Sequence, residues 1–244
     1  MNSPEYLNQN IQFPEYLKPY IENPSELINV NESIFGLRTR IEEQKNDAES
    51  KSRTLLIITG LSGGGKDSTI RKLLETDSRF GWVKTCTTRT TIRPDEVECD
   101  PYIRITQEQF DEVEKSNDFI EGNRYSGGSY CSLNSKFEEI FQNFEIPVFR
   151  PDPSGTVFYS EKWRQNELFF KDFNLITVFI VTPSLEILEE RLRNRPGTDE
   201  KEVIKRLEQF YKDVPYINGS QYIAINENNQ LEKMVQNIRK LFSS

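Results

Sequence analysis

Histidine is absent from all 244 residues. That excludes Ser-His-Asp and Cys-His nucleophilic catalysis, histidine metal sites and the commonest general base. Cysteine is scarce: Cys86, Cys99 and Cys131 are an odd number with no CxxC spacing, so neither a disulfide framework nor a cysteine zinc site is expected, and the thiols read as reduced. No apolar run approaches the roughly 18 residues of a membrane span. The opening "MNSPEYLNQN" has neither the charged nor the apolar part of a signal peptide, which points to a cytoplasmic protein without membrane contact. Positive charge is in deficit as well. With 31 Lys and Arg against 39 Asp and Glu, the net charge of −8 argues against general affinity for nucleic acid, so phosphate binding has to come from locally clustered basic residues. Chemistry on this chain therefore runs on positioning and electrostatics.

The length suits a domain of about 190 residues plus an appendage. Residues 1–50 are rich in Asn, Glu and Pro and carry "PEYL" twice, at Pro4 to Leu7 and Pro14 to Leu17. Two copies make no solenoid. The composition predicts a flexible or loosely docked extension, with the alternative that the paired Tyr-Leu segments dock on a groove of this chain or of a partner. The spacing of Ile34, Leu37 and Ile41 predicts a helix over Asn31 to Ser50.

From residue 51 the chain changes character. "TLLIITG", Thr54 to Gly60, is a nearly all-apolar, β-branched run ending in glycine, as a central parallel strand requires. A helix follows from Ser68, and a second buried strand is expected over Asn174 to Thr182, an amphipathic helix over Pro183 to Arg195, a third strand over Tyr222 to Asn226 and a last helix beyond it. This alternation predicts an α/β fold with a parallel sheet covered by helices on both faces. Residues 84–135 break the rhythm with short alternating runs dense in Thr, Arg, Tyr and Gly, and read as a small β-rich insertion between core segments 53–83 and 136–244.

The stretch "GLSGGGKDST", Gly60 to Thr69, nearly matches the phosphate-cradling pattern G-x-x-x-x-G-K-[ST]. Between a strand and a helix, Gly60, Ser62, Gly63, Gly64 and Gly65 let backbone N–H groups close around phosphate oxygens, and Lys66 reaches the β- and γ-phosphates. Asp67 stands where a hydroxyl normally touches Mg²⁺. A carboxylate there either ligates Mg²⁺, directly or through water, or is a defect, and Ser68 is the fallback hydroxyl. Downstream, Arg89 and Arg93 sit four apart in "TCTTRTTIRPDE". Two guanidinium forks with tyrosine hydroxyls suit a dianionic phosphate, although such a pair alone is usually a solvated face.

Together these features resemble the guanylate kinases, whose pattern runs from the P-loop strand through S-x-x-T-T-R, R-x-x-E, a tyrosine, F-[IL]-E and Y-[GA]-[ST] to an arginine-bearing lid and a V-x-N strand. Here stand "TCTTR", "RPDE", Tyr102, "FIE" ending at Glu121, "YCS" at Tyr130 to Ser132, "RPDPSG" at Arg150 to Gly155, "ERLRNRPGTDEKEVIKRL" and "AIN". The resemblance covers Arg53 to Phe242. It implies a P-loop α/β/α fold, ATP and Mg²⁺ as cofactors, and phosphoryl transfer to GMP or dGMP. By the same match Arg89, Arg93, Tyr102 and Tyr130 hold the acceptor's phosphate, and Thr85, Glu121, Ser132 and Asp152 read its base. Arg191, Arg195 and Arg206 belong to a lid over about 193–205 and its flanks, closing on the donor phosphates, while Asn226 lies near the donor adenine. Lys66, Arg89, Arg195 and Arg206 are the expected catalytic cations.

The chain also departs from the pattern. The Arg89 to Arg93 spacing is one residue longer, Cys131 replaces glycine, and Arg150 stands where many members have an aspartate. The GKD variant is similar to that of ribose 1,5-bisphosphate phosphokinase, a relative of the guanylate kinases, so Asp67 reads as a family variant. Two alternatives remain: a kinase for another phosphorylated acceptor such as ribose 1,5-bisphosphate, and a non-catalytic guanylate kinase-like binding module.

Overall fold

The computed structural model describes residues 13–31, 33–38, 53–97, 99–125, 127–165, 167 and 173–242. Its frame is a seven-stranded sheet. The strands are β1 (Leu27–Asn31), β2 (Ile34–Leu37), β3 (Thr54–Gly60), β4 (Phe80–Val83), β9 (Ile146–Phe149), β10 (Asn174–Val181) and β11 (Tyr222–Ile225), in the order β1-β2-β11-β10-β3-β9-β4. From β11 to β4 the pairing is parallel. β3 and β10 lie at the centre, which is why "TLLIITG" and "NLITVFIV" are apolar at nearly every position rather than at alternate ones.

Helices α1 (Lys66–Thr76), α3 (Asn134–Asn143), α4 (Pro153–Arg164), α5 (Leu185–Arg193), α6 (Glu200–Asp213) and α7 (Leu231–Lys240) cover both faces, while α2 (Gln107–Val113) packs on a second sheet. One apolar layer packs Ile70, Leu73, Met234 and Ile238 of α1 and α7 against β3, β9 and β10; another packs Leu188, Leu192, Val203 and Phe210 of α5 and α6 against Phe179, Val181 and Ile223. Among the described residues no helix is long and apolar enough to cross a membrane.

A second, four-stranded sheet, ordered β6-β5-β8-β7, is built from β5 (Thr85–Thr87), β6 (Tyr102–Arg104), β7 (Phe119–Tyr125) and β8 (Gly128–Leu133). Its own small core gathers Cys86, Phe110, Cys131 and Leu133. Because Cys86 and Cys131 are directly paired across β5 and β8, two of the three cysteines fill this core as small apolar side chains.

The N-terminal segment corrects one expectation. Ile34–Leu37 is a strand, not part of a helix; β2 pairs antiparallel with β11 and with β1, which extends the main sheet at one edge. Ile34 and Phe35 are buried because this strand takes the hydrogen-bonding edge that β11 would otherwise leave open. The rest of the expected helix, residues 39–50, lies outside the described residues. The second Pro-Glu-Tyr-Leu segment follows the alternative and docks on this chain: it enters a short 3₁₀ helix, Glu15–Tyr20, whose Leu17 is fully buried beside Leu61, Phe179 and Phe210. Tyr16 donates to the Thr182 carbonyl at 2.8 Å and packs its ring 6.0 Å from that of Phe210. The first such segment lies outside the described residues.

Candidate active site

An open cleft of about 1030 Å³ runs from the carboxyl ends of the parallel strands to the face of the second sheet. Ligand clefts of open α/β sheets lie at this end, where loops rather than strands supply the lining. At one wall the chain leaves β3 at Gly60 and turns into α1 at Lys66. Gly65 has φ 98°, and a Cβ there would lie 2.2 Å from Asn226 Nδ2, so only glycine both adopts this turn and leaves room for the asparagine. Asn226 donates its amide to the Gly64 carbonyl at 2.7 Å. The residue expected near the adenine thus also braces the loop, with its amide turned inward.

Lys66 donates to the carbonyls of Gly60 and Leu61, each at 2.8 Å. Burial first, then the charge of Arg150, bring its ammonium down to about 8, against the pull of Asp67 and Asp213. Arg150 leaves the end of β9, and its Nε stands 2.9 Å from Asp67 Oδ1, off the axis of a hydrogen bond. Asp67, expected to face a metal, also faces this guanidinium. Ser68 lies beside it in the cleft lining.

The opposite wall is the second sheet, and its register explains the expected site. Thr85 is paired with Tyr102 across β5 and β6, Thr87 with Tyr130 across β5 and β8, and Glu121 with Ser132 across β7 and β8. The Tyr102 and Tyr130 rings meet edge to face at 5.5 Å. Ser132 donates to Glu121 Oε1, and the hydroxyls of Ser132 and Tyr159 share a hydrogen bond of 2.6 Å. Ser132 therefore sits behind Glu121, buried, and does not line the cleft as Glu121 does. Burial raises the Glu121 carboxyl above its usual range and the charge of Asp152 adds to this, against the hydrogen bond from Ser132. Tyr159, on α4, carries no signal in the sequence. It enters because α4 packs on β3 and β10 of the main sheet and points the Tyr159 hydroxyl at Ser132 and Glu121.

Asp152, matched to base reading, caps α4: its Oδ1 accepts from Gly155 N at 2.6 Å and from Ser154 Oγ at 2.8 Å. Arg89 is buried, with Nη2 2.6 Å from both oxygens of Glu96. Glu96 also accepts from Arg93 N at 3.0 Å and approaches Arg93 Nη1 at 3.5 Å and Arg104 Nη2 at 3.3 Å. The glutamate of "RPDE" was visible as a motif position, but nothing local showed that it gathers three arginines.

Over the cleft stand the arginines of α5, α6 and the turn between them. Arg206 donates to Ser62 Oγ at 2.5 Å and pairs with Glu202 at 2.7 Å. Arg195 lies in the turn and lines the cleft. Arg191 donates at 2.8 Å to both the Asn226 carbonyl and Asn228 Oδ1, so it fastens α5 to the exit of β11. Of the residues singled out from sequence, Gly64 and Ser132 lie behind the lining, and the others share one cleft.

The profile of the guanylate kinase family matches residues 52–244. Guanylate kinases of Clostridium tetani and Mesomycoplasma hyopneumoniae are 26% and 30% identical over 190 and 195 residues, spanning 78% and 79% of this chain and 85% and 95% of theirs. A crystal structure of guanylate kinase from Anaplasma phagocytophilum superposes with a TM-score of 0.55 at 19% identity, covering 80% of this chain and 86% of that one, a likeness of fold. With the P-loop, the arginine-gathering second sheet and the family match over the same residues, the chain belongs to the guanylate kinase family, enzymes of the P-loop kinase fold.

Proposed function

We propose that the protein transfers the γ-phosphoryl group of MgATP to the 5′-phosphate of GMP or dGMP. The observation that carries this reading is the single cleft with Lys66 and the glycine loop on one wall and the Glu121–Ser132–Tyr159 chain on the other. Ser132 spends its proton on Glu121, so the carboxylate stays an acceptor facing a ligand that must bring donors. The guanine N1–H and exocyclic amine are such donors. A base without them would leave Glu121 desolvated and unpaired, which discriminates by a few kcal/mol. A sugar bisphosphate offers no such edge, so the same observation disfavours ribose 1,5-bisphosphate. The retention of Lys66, Arg195 and Arg206 disfavours a non-catalytic module.

In the proposed reaction an oxygen of the acceptor phosphate attacks the γ-phosphorus, the bond to the β–γ bridging oxygen breaks, and its electron pair stays with ADP. The acceptor phosphate, with a second pKa near 6, is largely a dianion at neutral pH. No proton has to leave it, so the absence of histidine costs nothing. Lys66 exchanges the carbonyls of Gly60 and Leu61 for phosphate oxygens. Arg89 and Arg93, held by Glu96, and the hydroxyls of Tyr102 and Tyr130 orient the acceptor phosphate. Arg195 and Arg206 close over the donor and exclude water.

Asp67 and Ser68, oxygen donors in the cleft lining, would hold a Mg²⁺, with the Asp67 carboxylate shared with Arg150. When bound, the ion supplies charge neutralisation at the phosphate oxygens. Coupled ADP-release assays with GMP, dGMP, AMP, CMP, UMP and ribose 1,5-bisphosphate as acceptors test the reading. Turnover with GMP or dGMP above the other acceptors is expected; turnover with the sugar phosphate alone overturns it.

A further inference from the structure

Two departures from the guanylate kinase pattern, Asp67 and Arg150, lie far apart in the chain and meet in the cleft at 2.9 Å. Each position reverses the usual character: a carboxylate stands where a hydroxyl is expected, and a guanidinium where an aspartate is expected. Alone, Asp67 beside the phosphate cradle would repel a triphosphate. Arg150 cancels that charge, but it does more than a neutralising surface lysine could.

Its side chain is 14% exposed, deep enough that water screens it little, and it lines the cleft. The Asp67 carboxylate faces its Nε at 2.9 Å as an ion pair, off the axis of a hydrogen bond. On its other side, the Arg150 Cζ stands 5.2 Å from the centroid of the Tyr102 ring. Arg89 approaches the same ring, at 5.3 Å. Arg150 therefore spans the two walls, with the P-loop helix on one side and the acceptor-side aromatic clamp on the other. The fold fixes this place, because β9 lies between β3, which feeds the P-loop, and β4, which leads into the second sheet. Lys66, Arg89 and Arg150 line the same cleft, where Asp67 faces Lys66 and Arg150, Asp213 acts on Lys66 and Glu96 holds Arg89 from behind; cations converging on one cleft suit a multiply charged anion lying between them.

Building on the function proposed above, we infer that Arg150 is a further catalytic residue, whose guanidinium contacts the phosphoryl group in transit between donor and acceptor, with Asp67 as the positioning residue that holds it there. The planar fork meets oxygens of the group while charge spreads over them, and Asp67 fixes its direction before substrate arrives. Asp67 then acts through Arg150.

The test uses the full chain and whichever phosphorylated acceptor the wild type turns over. Arg150→Ala is expected to lower kcat about 100-fold, the scale of losing one transition-state donor, with the KM for ATP moved less than about threefold. Arg150→Lys should recover part of the loss, and guanidinium chloride at tens of millimolar should raise the rate of Arg150→Ala and leave the wild type unchanged. Asp67→Asn should cost less than Arg150→Ala, and adding Asp67→Asn to Arg150→Ala should change kcat little, because Asp67 acts through Arg150; a double variant restored to wild-type activity would show that Arg150 only neutralises Asp67 and overturns the assignment. Arg150→Met keeps an apolar stem and serves where alanine unfolds the protein, with circular dichroism as the check. A kcat for both Arg150→Ala and Arg150→Met within about threefold of wild type overturns the assignment. So does an activity loss that follows lost stability and does not respond to guanidinium. Turnover on an acceptor other than GMP or dGMP sinks the earlier reading and leaves this one to be read from the same variants. A wild type active on no acceptor overturns both.

Discussion

Arg89 Nη2 stands 2.6 Å from each carboxylate oxygen of Glu96, and both side chains are withdrawn from solvent. Glu96 thereby presets the clamp that the acceptor phosphate is proposed to enter, by holding Arg89, Arg93 and Arg104 in one place. Replacing Glu96 with Gln keeps the shape and removes the charge that gathers them. Because breaking a buried pair leaves an uncompensated charge, the variant should lose about 3 kcal/mol of stability. Acceptor affinity should fall about tenfold while ATP affinity holds. Thermal denaturation and separate titrations of the two nucleotides check both parts.

The raised Glu121 carboxyl sets a pH dependence on the acceptor side. A carboxyl displaced upward is protonated at a higher pH than an ordinary one, and once protonated it no longer offers guanine two accepting oxygens. The KM for GMP should therefore rise as pH falls through the upper carboxylate range. Glu121→Gln, neutral at every pH, should bind GMP poorly throughout and lose this dependence. Steady-state profiles for wild type and variant, at saturating ATP, measure it.

On the donor side the sign is opposite. Lys66 is held down to about 8, by burial and then by Arg150, so in the free protein it loses its proton as pH rises through that value. Phosphate oxygens favour the charged form. ATP affinity should weaken above pH 8, and ATP binding there should take up a proton. Calorimetric titration at alkaline pH in two buffers of different ionisation enthalpy reads that uptake directly.

Leu17, fully buried against the core, makes residues 13–31 and 33–37 part of the folded unit. Leu17→Ala should cost about 3 kcal/mol, the range for an emptied leucine site. Tyr16→Phe, which loses the 2.8 Å bond to the Thr182 carbonyl, should cost about 1 kcal/mol. Chemical denaturation midpoints give both. Equal stability of Leu17→Ala and wild type would show that this segment does not hold the sheet edge.

What the sequence made legible follows from how local each signal is. The strand "TLLIITG" and the loop after it are contiguous, and a buried parallel strand has no choice but to be apolar along its length, so the fold and the glycine loop at the head of the cleft were readable together. The acceptor side was readable only through order and spacing over the family pattern, and there the structure supplies the register that makes Glu121 and Ser132 neighbours. β2 misled because Ile34, Leu37 and Ile41 repeat at helical spacing, while the partner that makes a strand of Ile34–Leu37 lies far along the chain at Tyr222–Ile225. Asn226, Asp152 and Ser132 share a different difficulty: a sequence shows which polar groups exist, not whether they turn toward a ligand or toward the backbone. The same limit hid Arg150, whose meaning depends on Asp67, distant in the chain and 2.9 Å away in the fold.

The central claim is transfer of a phosphoryl group from ATP to a guanine nucleotide monophosphate. Phosphorus-31 NMR of the protein with MgATP and GMP follows it directly. The account predicts that the ATP γ resonance declines as the α and β resonances of GDP and ADP grow in equal amounts, and that Lys66→Ala abolishes this. ATP and GMP resonances that stay unchanged over many hours with folded wild-type protein, or inorganic phosphate appearing in place of GDP, would contradict it.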